Sequence, residues 1–88
     1  MTDQTHIYVL SDSIGETAEL LAKAASIQFD PHLVGDIHKF SFVKDKSQLD
    51  DIIDGASEHK SMIIYTLVKS ESREYLASRS AKRNIPAI

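Results

Sequence analysis

The segment from Ser11 to Thr17 has the residue types best suited to binding a ligand, in the order Ser-Asp-Ser-Ile-Gly-Glu-Thr. Small hydroxyl residues and a glycine at a helix N-terminus present free N–H groups and a positive dipole end to a phosphate group. The alternative is a structural role, in which Ser13 and Glu16 form a capping box and nothing binds. The pattern alone favours the capping box, because the carboxylates of Asp12 and Glu16 oppose a bound anion.

A Walker-type nucleotide loop is absent from the sequence. That loop requires the pattern G-x-x-x-x-G-K-[ST], in which the second glycine is followed by lysine. The chain has three glycines, Gly15, Gly35 and Gly55, and none of them is followed by lysine. We therefore assign no catalytic residue and no cofactor-binding residue to this chain.

The histidines show no metal-binding motif. The sequence contains His6, His32, His38 and His59, and none of them pairs with another at a spacing of three or four residues on a helix. The absence of cysteine also excludes thiolate ligands. The sequence therefore predicts four solvated surface histidines and no metal site.

Composition indicates a small soluble domain. The 88 residues carry a formal net charge of −3, which does not favour the basic surface that nucleic-acid binding requires. The first apolar run, Ile7–Leu10, is far too short for a signal peptide or a membrane span. We expect one cytoplasmic α/β domain, or part of one, without nucleic-acid or membrane partners; the oligomeric state stays open.

Strand and helix patterns alternate along the chain and must position the residues named above. Apolar runs predict strands, at Ile7–Leu10, Asp36–Val43, Met62–Val68 and Ile85–Ile88. Helical spacing predicts a first helix from Ile14 to about Phe29 and a second with a capping box of Ser47 and Asp50. A third helix is predicted to be capped by Ser70 or Ser72, to run to about Lys82 and to be followed by Asn84 in a left-handed conformation.

This alternation predicts an open, mostly parallel α/β sheet of βα repeats. The flavodoxin-like strand order 2-1-3-4 is favoured, and a Rossmann-like 3-2-1 order is the alternative. Such sheets usually carry five or more strands, so we expect a longer protein that is truncated here within the fourth strand. Ligands bind at the carboxyl ends of such strands, where the order reverses. The residues expected to meet there are Ser11, Asp12, Ser13, Gly15, Thr66, Lys69 and Ser70.

Residues 7–29 resemble the opening of the pyruvate, phosphate dikinase regulatory protein family. The similarity lies in Ile-Tyr-Val-Leu-Ser-Asp-Ser-Ile-Gly-Glu-Thr-Ala-Glu at residues 7–19, then Ala-Lys-Ala-Ala at 22–25 and Gln28-Phe29. Residues 65–68 and 85–88 also resemble the family. Regulators of phosphoenolpyruvate synthase open similarly but differ in the first loop, so the dikinase branch is favoured and the alternative target stays open.

The resemblance implies a bifunctional serine/threonine kinase and phosphorylase. Such an enzyme phosphorylates a threonine of the dikinase with ADP as donor and removes the phosphate with inorganic phosphate, giving pyrophosphate. It also implies that the P-loop-like nucleotide segment lies in a later half, absent here, so that this chain alone is inactive. The family loop present here, residues 11–17, is expected to border the active-site crevice or to dock the dikinase.

A second hypothesis is a stand-alone flavodoxin-like binding module of the receiver type. Receivers need an acidic cluster after the first strand and an aspartate at the end of the third. Here Asp12 is the acidic residue directly after the first strand, and the third strand reads Tyr65-Thr66 where the aspartate is needed. The residues therefore favour the regulatory protein over the receiver.

Overall fold

The fold is a three-stranded parallel sheet with helices, seen in a computed structural model that describes residues 4–13, 16, 20, 22–24 and 34–88. The strands are β1 (Thr5–Ser11), β2 (Val34–Phe40) and β3 (Ser61–Thr66). The continuous helices among the described residues are α1 (Lys46–Ala56) and α2 (Ser70–Lys82). Glu16, Leu20 and residues 22–24 are also helical, within the region where the sequence predicts the first helix.

Strand β1 lies at the centre of the sheet, whose order is β2-β1-β3, and it pairs in parallel with both neighbours. Its residues Ile7–Leu10 are buried, as a parallel strand covered on both faces requires. Tyr8 and Leu10 pack into the core beneath α1 and α2, whereas Ile7 and Val9 pack against Ala22 on the opposite face. The predicted α/β class and the 2-1-3 part of the flavodoxin-like order are confirmed.

Strand β2 is the edge strand beside β1, and it ends earlier than the sequence predicts. Phe42 has a φ of 56°, a left-handed conformation that interrupts the strand geometry. This turn leaves Phe42 57% exposed and directs Val43 into the core. The predicted strand Asp36–Val43 is therefore wrong beyond Phe40.

The segment after α2 returns to the sheet beside β3. Asn84 adopts the predicted left-handed conformation, with a φ of 57°. Ile63 donates its N–H to the carbonyl of Pro86 at 2.8 Å and accepts from the N–H of Ile88 at 2.9 Å. A parallel bridge joins Ile63 to Ala87. This is the position that the 2-1-3-4 order assigns to the start of a fourth strand.

The buried face of α1 is the one that the sequence predicts, but its cap is different. The buried residues are Leu49, Ile52, Ile53 and Ala56. Asp45 is the N-cap: its carboxylate accepts from the N–H of Gln48 at 2.9 Å, and the Gln48 side chain accepts from the N–H of Asp45. The predicted capping box of Ser47 and Asp50 is wrong, because Asp45 and Gln48 form a complete box two residues earlier.

Helix α2 also starts differently from its prediction. Its N-cap is Lys69, which makes no capping hydrogen bond through its side chain, and Ser70 is already the first helical residue. The prediction that Ser70 or Ser72 caps this helix is therefore wrong. Arg79 and Lys82 lie in the last turn, where the helix dipole favours positive charge.

Candidate functional site

The carboxyl ends of β1 and β3 meet at one edge of the sheet, at the predicted crevice. Ser11, the last residue of β1, lies in register with Thr66, the last residue of β3. Ser11 is buried, whereas Thr66 is only partly buried. The fold thus brings these two hydroxyl residues together, because parallel strands end at the same edge.

Hydrogen bonds fix the loop after β1 in place. The Ser11 Oγ accepts from the N–H of Ser13 at 3.1 Å and lies 3.1 Å from the Ser13 Oγ. The carbonyls of Ser11 and Ser13 accept from the N–H groups of Val43 and Phe42, at 2.9 and 3.0 Å. Ser11 therefore holds the loop, and the exposed Ser13 is the serine of this loop that a ligand can reach.

The backbone of Val68, in the loop after β3, is held from both sides by charged groups. Its N–H donates to the carboxylate of Asp12 at 2.7 Å, and its carbonyl accepts from the guanidinium of Arg73 at 2.6 Å. Arg73 also donates to the carbonyl of Leu67 at 3.0 Å. We refer to Asp12, Val68 and Arg73 as the Val68 clamp. It ties the two loops of the crevice together and leaves the Val68 side chain 80% exposed.

The remaining residues predicted for the crevice are exposed or lie outside the described part of the chain. Lys69 and Ser70, at the start of α2, are exposed, as is Glu16. Gly15 and Thr17 lie outside the described residues. The described groups that can contact a ligand are thus the Ser13 and Thr66 hydroxyls and the N-terminus of α2. These groups bind anions or peptide backbone by hydrogen bonding.

Three histidines form a cluster at the opposite, amino-terminal edge of the sheet. His6 lies in β1, His38 lies in β2 and His59 lies two residues before the start of β3. The Nδ1 of His6 is 3.1 Å from the Nε2 of His38, and the rings of His6 and His59 stack with centroids 3.8 Å apart. The hydroxyl of Tyr8 lies 2.7 Å from the Nε2 of His59. We call His6, His38 and His59 the histidine cluster.

The environment of His59 disfavours positive charge on its imidazole. Burial lowers the pKa of His59, and the neighbouring His6 and His38 lower it further. The carboxylates of Glu58 and Asp36 act in the opposite direction but do not outweigh these causes. Burial, with a smaller contribution from Glu58, raises the pKa of the Tyr8 hydroxyl. A neutral His59 beside a protonated tyrosine is the resulting state near neutral pH.

The prediction of four separate, solvated histidines is wrong for His6, His38 and His59. The sequence argument tested only helical spacing, whereas two of these residues lie on neighbouring strands. Tyr8 is in register with His38, and His6 is two residues before Tyr8 on the same face of β1. Because side chains alternate between the two faces of a strand, the pairing of β1 with β2 could have indicated that His6 and His38 share one face of the sheet. His59 comes from a loop, whose position the alternation does not predict.

A comparison with models of protein families shows to which family the chain belongs. A family model described as kinase/pyrophosphorylase matches residues 7–88. The chain belongs to the kinase/pyrophosphorylase family. The match begins within β1, at Ile7, and covers the other described strands and helices. In this kinase/pyrophosphorylase chain, none of the described helices is long and apolar enough to cross a membrane.

Similar proteins support the same assignment. The kinase/pyrophosphorylase chain is 41% identical over all 88 residues to a protein of Halothermothrix orenii named as a pyruvate, phosphate dikinase regulatory protein. A protein of Alkaliphilus metalliredigens with the same name is 43% identical over 82 residues, or 93% of the chain. The matches span only 32% and 29% of these relatives' lengths. The resemblance seen in the sequence is confirmed.

Proposed function

We propose that this chain is the amino-terminal part of a bifunctional regulator of pyruvate, phosphate dikinase. In the forward reaction, a threonine hydroxyl of the dikinase takes the β-phosphate of ADP and AMP leaves. In the reverse reaction, inorganic phosphate takes the phosphate from the phosphothreonine, which gives pyrophosphate and restores the hydroxyl. The family match over residues 7–88 is the observation that carries this proposal.

The nucleotide site of this regulator lies outside the present chain. A Walker-type phosphate loop needs a glycine that is followed by lysine. The chain has three glycines, Gly15, Gly35 and Gly55, and none of them is followed by lysine. The chain also corresponds to less than a third of the two relatives' lengths, so most of a regulator of their size lies beyond it. The P-loop-like segment that binds ADP is in that remainder, and the 88-residue chain has no kinase activity of its own.

The carboxyl-terminal edge is this chain's contribution to recognition of the dikinase. Ser11, Asp12, Ser13 and Thr66 border the crevice, and the Val68 clamp fixes the shape of the loops around it. Ser13 and Val68 are exposed, so one hydroxyl and one apolar side chain can contact a protein surface. The regulator acts in the cytoplasm, where its dikinase substrate is expected.

A phospho-receiver function is not favoured. The third strand ends in Thr66 and carries no carboxylate there. Asp12, the acidic residue directly after β1, already accepts a hydrogen bond from the Val68 N–H. A receiver needs a carboxylate free to take a phosphoryl group, and neither position supplies one.

The test compares the 88-residue chain with the longer Halothermothrix orenii relative. Each is incubated with a purified dikinase and ADP labelled at its β-phosphate, and label in threonine is measured by mass spectrometry and autoradiography. We expect label with the relative and none with the 88-residue chain. Labelling by the chain alone would show that it contains a nucleotide site. No labelling by the relative would refute the proposed reaction.

Docking is tested separately by competition. Excess 88-residue chain is added to the reaction of the relative, and we expect it to slow labelling by occupying the dikinase. Two substitutions, Ser13→Ala and Thr66→Val, remove crevice hydroxyls and should weaken the competition. The matched control is Ser47→Ala, which removes an exposed hydroxyl in the first turn of α1. Equal competition by all these chains would exclude a docking role for the crevice hydroxyls.

A further inference from the structure

The histidine cluster unites three imidazoles from separate segments of the chain. One ligand atom from each of His6, His38 and His59 lies within 4.8 Å of the other two. The assignment to the kinase/pyrophosphorylase family gives no role to this group of three neighbouring imidazole nitrogens. We propose that His6, His38 and His59 form a binding site for a divalent transition-metal ion, with Zn²⁺ the best-suited ion.

The distances within the cluster are close to those of a formed site. Tetrahedral zinc with Zn–N bonds of about 2.0–2.1 Å places two ligand nitrogens about 3.3 Å apart. The Nδ1 of His6 and the Nε2 of His38 are already 3.1 Å apart. The largest separation in the cluster, 4.8 Å, needs a movement of about 1.5 Å to reach that spacing. The His59 ring also stacks on the His6 ring with only 14° between their planes, so it must turn out of this stack for its in-plane lone pair to face the ion. The position of His59 in a loop allows this rotation.

The sheet fixes two of the three ligands. β1 and β2 pair in parallel with Ile7 opposite Ile37 and Tyr8 opposite His38, which sets His38 diagonally from His6 on the same face. Gly35 makes room for the His6 ring, because a Cβ there would lie 3.3 Å from the ring atoms Cδ2 and Nε2. The backbone is therefore shaped around an imidazole at this position.

Tyr8 has the position of an outer-shell partner. Histidines that bind metals usually use their other ring nitrogen for a hydrogen bond, which fixes the tautomer and the ring orientation. The Tyr8 hydroxyl lies 2.7 Å from the Nε2 of His59, so Nδ1 is the atom that His59 presents to the ion. The Tyr8 ring also stacks on His38 with centroids 4.4 Å apart, which orients the second ligand.

The donor set determines which ions fit. Imidazole ligands suit zinc, copper and nickel, whereas Mg²⁺ and Ca²⁺ prefer oxygen. The carboxylates of Asp36 and Glu58 act electrostatically on His59 and attract a cation to this edge. Three protein ligands leave the fourth position of a tetrahedral zinc ion to water.

The experiment is metal titration of the whole 88-residue chain. Zn²⁺ binding is measured by calorimetry, and Co²⁺ binding by the visible absorption of the tetrahedral ion, with Mg²⁺ as the negative control ion. We expect one ion per chain. Zn²⁺ at a hundred times its dissociation constant should raise the folding equilibrium constant about 100-fold, seen as a higher Tm.

Variants locate the site. Removal of an outer-shell partner typically weakens metal binding 10–100-fold, so removal of a ligand should cost at least about 100-fold. We expect that loss in H38Q and in H59Q, and about a tenfold loss in Tyr8→Phe. His32 lies outside the described residues, so the matched control is Ser47→Ala, at an exposed residue in the first turn of α1, and it should bind as the unaltered chain does. Far-UV circular dichroism checks the fold of each variant.

NMR of the unaltered chain keeps the test independent of folding in the variants. Zn²⁺ should shift the imidazole resonances of His6, His38 and His59 together at one equivalent. Absence of Zn²⁺ binding at a concentration of about 100 μM overturns the proposal, as does full binding by H38Q. Loss of binding in a folded Ser47→Ala variant also overturns it. None of these outcomes depends on the kinase activity proposed above.

Discussion

Removal of the Asp12 carboxylate should loosen the crevice by releasing the loop after β3. In Asp12→Ala, the Val68 N–H loses its acceptor at 2.7 Å, while the Val68 carbonyl keeps its contact with Arg73. Hydrogen bonds to charged groups contribute about 1.5–3 kcal/mol to the free energy of unfolding. At this exposed site a water molecule can take the place of the lost carboxylate, which reduces the cost of its removal. We therefore expect a loss of about 1 kcal/mol in the free energy of unfolding.

Hydrogen exchange followed by NMR is the sharpest assay of the Val68 clamp. A loss of about 1 kcal/mol in local stability speeds exchange of the Val68 amide about fivefold. Asp12→Asn keeps a neutral acceptor and should show a smaller effect. Asp51→Ala is the matched control, because it removes an exposed carboxylate of α1 and leaves the clamp intact. Unchanged exchange of the Val68 amide in Asp12→Ala would refute this account of the clamp.

Three further pairs of substitutions test the fold by urea unfolding. Leu76→Ala should cost about 3 kcal/mol because Leu76 is fully buried, whereas Leu20→Ala, at a residue 67% exposed, should change stability by less than about 0.5 kcal/mol. Asp45→Ala should cost about 1 kcal/mol by removing the capping box of α1, and Ser47→Ala should be near neutral; the reverse result would restore Ser47 as the cap. Asn84→Ala should cost about 1 kcal/mol, because alanine is strained at a φ of 57°, and Asn84→Gly should cost less.

The sequence predicts the parts of this fold that depend on periodic burial. The face of α1 and the central position of β1 follow from apolar spacing, because burial of those residues is the dominant stabilising term. The meeting of Ser11 with Thr66 follows in turn from the parallel strand order. These predictions hold because they use interactions between residues whose relative positions the pattern fixes.

The sequence fails where a single residue decides the local structure. Phe42 adopts a left-handed conformation that no apolar pattern indicates, and this conformation ends β2 early. Two capping boxes competed within residues 45–50, and the one with the charged acceptor, at Asp45, forms. The histidine cluster depends on strand register and on a loop, and register is set by tertiary pairing rather than by local spacing.

The strand order has a consequence for synthesis of the chain on the ribosome. The residues of β1 leave the exit tunnel first, yet its partner in β3 lies 55 residues later, since His6 is in register with Ser61. At about 5–20 residues per second, that partner follows about 3–11 s after β1. During this interval one side of an apolar strand has open N–H and C=O groups, which other chains can pair with. β1 thus waits for its second partner long after it is translated, and it is a segment that a nascent-chain chaperone has reason to shield.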